Sequence, residues 1–396
     1  MEPQEKLKMK EHKKRMIANQ RQKKQEGLNN ILLRIKEEIV DLSFGNTAEK
    51  TISSIYFPIP SLNSLIMEGH DSDNSISCSS FWSSIPSTCT PDQAVLDSSI
   101  ASDKLLRGEA ARQKKYLKKL EKKLECGDIT QEEMEEMLDK FGRKNLKDEN
   151  VEQDSFSLLN SSRGLRKRQQ VENIASLFQI FGERKVVVDF GSGSGNLCLA
   201  LASFYKNTTF VFADQNRESL EILANRAREG GLTNVRVKVF SFNNDNLDEF
   251  INEIEKELGS SFDLGIGLHC CGRFTDLVME LSRLARADCV VVPCCNGKMD
   301  KEYQTLSNKD DNNEEIVESE LNNYPRSAFI SALISRDEYF QVSRAADDEN
   351  NYEAKCLIEY DRARWARENG FEVSLQRMEP VSCTPKHHVL YCSFKE

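Results

Sequence analysis

The chain has 396 residues, 39% hydrophobic and 30% charged, with a formal net charge of −10. That length suits two domains or one large domain with extensions, and the acidic balance excludes a uniformly basic nucleic-acid binder while leaving room for local basic arms. The N-terminus, MEPQEKLKMKEHKKR, has no apolar core of signal-peptide type, and no run of 18 apolar residues occurs, so no membrane span is expected.

In chain order, residues 1–43 read as a charged, then amphipathic, helical segment. Nine bases stand against four acids over 1–26, and Leu28, Ile31, Leu32, Ile35, Ile39 and Leu42 follow at three- and four-residue steps. Residues 44–103 read as a disordered, serine-rich linker, with Phe81 and Trp82 as a weak candidate docking point. Residues 104–150 read as a charged helical hairpin. Its first arm carries Lys104, Arg107, Arg112, Lys114, Lys115, Lys118, Lys119, Lys122 and Lys123, and its second is acidic. Such charge runs are usually solvated faces; the sharper reading is an RNA-facing arm that neutralises phosphates.

A folded domain is expected over 162–396. Val171, Ile174, Leu177, Phe178 and Phe181 line one face of a helix that Gly182 stops. Strands and helices then alternate: Val186–Val188, Thr209–Ala213, Val235–Phe240, Phe262–His269 and Ala287–Val292 read as strands. A polar insertion at about 300–322, further helices, and two strands at Phe371–Arg377 and Val389–Phe394 complete the chain. The expected fold is α/β, a Rossmann-like doubly wound sheet of seven strands with helices on both faces.

Lys185–Leu201, KVVVDFGSGSGNLCLAL, organises that domain. A buried strand turns into a helix over Gly191, Ser192, Gly193 and Gly195, so a ligand can approach backbone that a Cβ would cover, near helical amides. The loop alone suits several adenosine ligands. Three features favour S-adenosylmethionine over a nicotinamide dinucleotide: the GxGxG spacing, Asp189 before the loop, and the final hairpin. A carboxylate at Asp189 repels a pyrophosphate and attracts an ammonium. Asp214, 19 residues after Gly195, stands where a carboxylate accepts from both ribose hydroxyls, with Gln215 beside it. Its plainer role is a cap at a strand–helix turn. Asn243, Asn244 and Asp245 follow the third strand and are candidates for the adenine edge.

His269-Cys270-Cys271-Gly272 and Pro293-Cys294-Cys295-Asn296-Gly297 close two neighbouring strands, so a histidine and four cysteines converge on the crevice rim. The preferred reading is that these turns shape a methyl-transfer channel, with His269, Lys298 and Cys294 as candidate catalytic residues. A zinc site ranks lower, because vicinal cysteines cannot form a CxxC knuckle, and no metal is expected. An attacking thiolate and buried cysteines acting as small hydrophobes are the other readings. Twelve cysteines without a signal peptide fit a reduced, cytoplasmic protein, and the basic clusters also suit a nuclear one.

KRQQVENIASL, VVVDFGSGSGNLCLALA, LHCCGRFTDLVMEL, VVPCCNGKM, YPRS, CLIEYDRARWARENGFEV and RMEPVSCTPK together resemble the methyltransferase-like half of the glutathione S-transferase C-terminal domain-containing protein family. The resemblance covers about 163–385. At the LHCCG…TD and PCC blocks that family is similar to eukaryotic enzymes that methylate tRNA ribose. The resemblance implies a class I, S-adenosylmethionine-dependent fold and a cytoplasmic location, and it brings no established substrate. The transferase-like region that gives the family its name is not recognisable in residues 1–150, so no glutathione chemistry is expected. Three functions follow: a methyltransferase acting on RNA of tRNA type through the basic N-terminal segments, a non-catalytic scaffold of the same fold, and an NAD(P)-dependent oxidoreductase.

Overall fold

The computed structural model describes residues 3–39, 57–58, 78–91, 120, 130, 153–182, 184–299, 323–348, 351–384 and 386–395. The β-branched and apolar runs become strands β1 (Phe57–Pro58), β2 (Val186–Phe190), β3 (Thr209–Asp214), β4 (Val235–Val239), β5 (Leu264–Cys270), β6 (Asp288–Pro293), β7 (Phe371–Arg377) and β8 (His388–Phe394). They form one sheet in the order β1-β7-β8-β6-β5-β2-β3-β4, parallel except where β8 runs against its neighbours β6 and β7. The seven long strands have the order of the class I methyltransferase fold. The two residues of β1 add an eighth, pairing with Gln376 and Arg377 at the β7 edge.

Side chains alternate across a strand, so β2 feeds both faces of the sheet. Val186, Val188 and Phe190 pack with helices α6 (Leu247–Leu258), α7 (Phe274–Ala285) and α10 (Tyr352–Glu368). Val187 packs on the other face with α3 (Gln153–Phe181), α4 (Cys198–Phe204) and α5 (Arg217–Glu229). Phe190 anchors the first layer through edge and tilted contacts with Phe242, Phe250 and Phe262. Helix α3 begins at Gln153, earlier than the boundary expected at 162. It buries Val171, Ile174, Leu177 and Phe178 as the spacing predicted, and ends at Gly182 with φ 79°.

The N-terminal helix α1 (Pro3–Ile39) buries Leu28, Ile31, Leu32 and Ile35, the expected apolar stripe. These join a third cluster with Tyr339 and Phe340 of α9 (Arg336–Ala345) and Leu357 and Ile358 of α10. Arg34 pairs with Glu338 at 2.8 Å across that contact. A short helix α8 (Ala328–Ser331) precedes α9. The expected hairpin over 104–150, Leu120 and Thr130 apart, and the insertion at 300–322 lie outside the described residues, as do the side chains of Ile39, Leu42 and Phe181.

The expectation of a disordered linker over 44–103 fails at residues 78–91. Cys78–Ser83 is helical (α2), and Phe81, Ile85 and Cys89 are buried in the second cluster. Only Phe81 lies in α2; Ile85 and Cys89 reach the same cluster from the bend and the 3-10 turn that follow, apolar positions that the surrounding serines mask in composition. Trp82 Nε1 donates to Glu172 at 2.6 Å under the Arg168 guanidinium, so the docking point is intramolecular. Arg226, itself buried, donates to Thr88 O and Thr90 O and also to Ser194 O in the glycine loop. Phe81→Ala is expected to release this segment. The measurement is Trp82 emission, which should shift to the red, with faster protease cleavage between 78 and 91; unchanged emission would contradict the docking.

Candidate functional site

The chain runs outward from β2 to β3 and β4, then crosses to β5 on the other side of β2. Ligands in open α/β sheets bind at the carboxyl ends of the strands where the order reverses, and here that point is the tip of β2 and β5. A cavity of about 150 Å³ opens there, walled by Lys167 and Gln170 of α3, by Asp189, Gly191, Ser192 and Asn196 around the loop, and by Leu268 and His269 of β5.

The glycine loop is held by its own backbone. Gly191 N–H donates to Ala213 O at 2.8 Å, Ser192 N–H to the same oxygen at 3.3 Å, and Gly195 N–H to Ser192 O at 2.9 Å. Gly193 N–H donates to the Asp214 carboxylate at 2.9 Å, whose other oxygen accepts from Asn216 N–H. Four loop amides are thus engaged within the protein. Gly193 sits at φ 54° with nothing within 4 Å of where a Cβ would stand, so its Cβ direction is open space. Gly195 is the opposite case: a Cβ would lie 2.8 Å from Leu199 and 2.9 Å from Leu223.

Asp189 is buried behind the loop, and its Oδ2 has no hydrogen-bond partner; neither has Ser192 Oγ. Both residues line the cavity. Their placement together on one cavity wall suits a polar ligand. Burial raises the Asp189 pKa from 3.8 to about 7, with a hydrogen bond from the Cys198 thiol opposing and the Asp214 charge adding. A native carboxyl above its unfolded value binds more protons than the unfolded chain between the two. Without ligand, stability should therefore fall as pH rises from about 4 to about 7, by at most about 1.4 kcal/mol per pH unit. Asp189→Asn removes this slope, which urea denaturation at pH 5 and pH 7 would measure.

His269, the last residue but one of β5, has φ 61°, a conformation uncommon outside glycine, and lines the cavity. Gln170 Nε2 donates to Cys383 O at 2.9 Å, so its Oε1 faces His269 Nε2 at 3.3 Å. The imidazole then carries its proton on Nε2 and keeps a lone pair on Nδ1. Burial, with Lys167 and Lys355 nearby, lowers its pKa and keeps it neutral.

Of the other expected site residues, Asp214 is half-buried at the tip of β3. Two of the four lone-pair sites of its carboxylate accept backbone N–H groups, which leaves two for ribose hydroxyls. Gln215 is exposed, with Ser241 Oγ 3.5 Å from its Oε1. Asn243 Oδ1 accepts Asp245 N–H and Asn244 is held by Arg273, so these two amides brace their own loop. Cys294 and Lys298 do not line the cavity. Cys294 lies 2.9 Å, sulfur to sulfur, from Cys271, and Lys298 is exposed, with the Cys271 charge acting on its ammonium. Burial and the neighbouring thiols push the Cys294 pKa up, so it is a poor nucleophile as it stands. Lys167 and Gln170 belong to no motif, and their one signal in the sequence is spacing: Lys167 lies four residues before Val171, and Gln170 four before Ile174, on α3.

The match to known proteins falls on this same stretch. Residues 166–302 match the family model of a methyltransferase domain. The chain is 31% identical over 256 residues to the glutathione S-transferase C-terminal domain-containing protein homolog of Drosophila melanogaster, covering 60% of this chain and 38% of that one. The protein of that name from Bos taurus is 29% identical over 245 residues, covering 59% and 34%. The chain thus spans little more than a third of the length of these relatives. Among solved structures, Methanococcus jannaschii fibrillarin, a pre-rRNA processing protein, aligns with a TM-score of 0.33 at 7% identity, over 53% of this chain and 67% of that one. The ribosomal protein L11 methylase of Lactobacillus delbrueckii subsp. bulgaricus aligns at 0.31 and 13%, over 57% and 80%. Scores this low add nothing to the strand order. No described helix is long and apolar enough to cross a membrane.

Proposed function

We propose that this domain binds S-adenosylmethionine and transfers its methyl group to RNA. The observation that carries the cofactor reading is the pair of orphaned polar atoms, Asp189 Oδ2 and Ser192 Oγ, on the cavity wall at the switch point. Asp189 and Ser192 would hold the ammonium and carboxylate end of the methionine moiety, and Asp214 the ribose. Engagement of the four loop amides supports this reading over a dinucleotide, whose pyrophosphate needs such donors. When bound, the cofactor supplies an electrophilic methyl group on a sulfonium.

The residues of the chain then orient and deprotonate. An acceptor hydroxyl entering between His269 and the loop would meet a neutral imidazole with a lone pair on Nδ1, suited to take a proton near neutral pH. Lys167 gives the same mouth a positive charge for a phosphate. RNA is favoured by the basic N-terminal segments, of which Arg15, Lys23 and Lys24 are exposed on α1. The resemblance of the LHCCG and PCC blocks to tRNA ribose methyltransferases points the same way, and a cytoplasmic location goes with it.

The test is transfer of labelled methyl from S-adenosylmethionine to total RNA and to protein extract, comparing wild type with Gly193→Arg. Label in RNA with wild type alone is the expected result. Label in protein alone would move the acceptor class, and failure of wild type to bind S-adenosylhomocysteine would sink the whole reading.

A further inference from the structure

Beyond the cavity, the described residues gather a second set of reactive groups. Cys271 lies in the turn after β5, and Cys294 and Cys295 follow β6, its parallel neighbour. Their three sulfurs lie within 4.8 Å of one another, and all three are free thiols. We propose that Cys271, Cys294 and Cys295 form a zinc-binding site, with the fourth coordination position open to solvent.

Tetrahedral thiolate ligation at about 2.3 Å places sulfurs about 3.8 Å apart. That value falls between the closest pair here, 2.9 Å, and the outer limit of the group. Vicinal cysteines cannot build a CxxC knuckle by themselves. The sheet removes that objection, because the third ligand comes from the adjacent strand end.

The two turns are fixed to each other without help from the thiols. Gly272 N–H donates to Cys295 O at 2.8 Å. Arg362, fully buried, donates to Gly272 O at 3.1 Å and to Asn296 Oδ1 at 3.0 Å. The Asp347 carboxylate accepts the N–H groups of Asn296 and Gly297 at 2.7 and 3.1 Å. Such outer contacts aim ligands in metal sites. Three thiolates around a divalent ion leave one negative charge, and the Lys298 ammonium, which feels the Cys271 charge, stands against it.

The competing chemistry is a Cys271–Cys294 disulfide. Hydrogen peroxide would accept two electrons and two protons from the thiols, giving the S–S bond and two molecules of water. The two outcomes separate cleanly.

The full chain, purified under reducing conditions without chelator, is analysed by elemental mass spectrometry. One zinc per chain is expected, lost in the C271S/C294S/C295S variant while far-ultraviolet dichroism and S-adenosylhomocysteine binding persist. Cobalt exchanged into the wild type should give a thiolate-to-cobalt charge-transfer band that the variant lacks. Should the triple variant fail to fold, Cys295→Ser at its half-exposed position serves instead, and should surrender zinc to a chelator that the wild type withstands. Wild-type protein that neither retains nor takes up zinc or cobalt overturns the proposal, as does a Cys271–Cys294 disulfide in metal-free protein isolated without reductant. Neither result depends on methyl transfer.

Discussion

Arginine in place of Gly193 is expected to abolish S-adenosylmethionine binding without unfolding the chain. Gly193 has φ 54°, where a non-glycine residue costs about 1–2 kcal/mol. In a domain of this size that lowers the melting temperature by only a few degrees. The Cβ would meet nothing within 4 Å, so the side chain extends into the open space above the loop instead of into the core. A guanidinium there opposes the methionine ammonium and fills the room the ligand needs. By calorimetry, Kd for S-adenosylhomocysteine should rise at least about 100-fold, or about 2.7 kcal/mol. Gly195→Val is the contrasting variant. Its Cβ strikes Leu199 and Leu223 at under 3 Å, so it should lose the fold along with the site. Wild-type affinity in Gly193→Arg would mean that the ligand does not lie over the loop.

The strands and the glycine turn were legible because they follow from local pattern. Apolar runs at strand spacing, glycines at 191, 193 and 195, and acids at 189 and 214 each carry their meaning within a few residues. What was not legible depends on partners distant in sequence. Helix α10 carries Lys355, Glu359, Asp361 and Arg362 on nearly all sides, yet it is buried from Ala354 to Ala363. Periodicity shows no apolar stripe there because the charges are neutralised inside. Glu359 pairs with His388 Nδ1 at 2.5 Å and Lys355 at 3.6 Å, and Asp361 accepts the backbone N–H groups of Arg326 and Ser327. The cysteine pairs show the same divide. That Cys271, Cys294 and Cys295 meet was readable from two strand ends, but Cys270, expected with them, is buried in the core, and only the sheet separates Cys294 and Lys298 from the cavity that His269 lines. The serine-rich tract misled for the inverse reason: three apolar residues four apart outweigh the composition around them.

Replacing Arg362 with Met should cost about 3–5 kcal/mol of stability, the usual loss when one partner of a buried ion pair is removed. Arg362 and Asp276 are exposed by only 1% and 2%. Two guanidinium nitrogens donate to the Asp276 carboxylate at 2.8 and 3.2 Å, and Tyr324 OH donates to it at 2.8 Å. Methionine fills much of the volume, so the loss reflects the stranded carboxylate more than a cavity. The pH dependence tests that assignment. Burial alone would raise the Asp276 pKa, but the Arg362 charge and hydrogen bonds hold it below its ordinary value. The wild-type pair therefore stabilises the fold above the unfolded carboxyl pKa, about 3.9, and that contribution is lost as pH falls through the lower folded value. In Arg362→Met the sign reverses, because the native carboxyl now holds its proton above pH 4 and stability declines as pH rises. The gap between the two proteins in urea denaturation should widen from pH 4 to pH 7; a gap that stays constant would assign the loss to packing. Because the same guanidinium ties Gly272 to Asn296, Arg362→Met should also loosen the two cysteine turns and lower zinc retention, even at temperatures where the sheet remains folded.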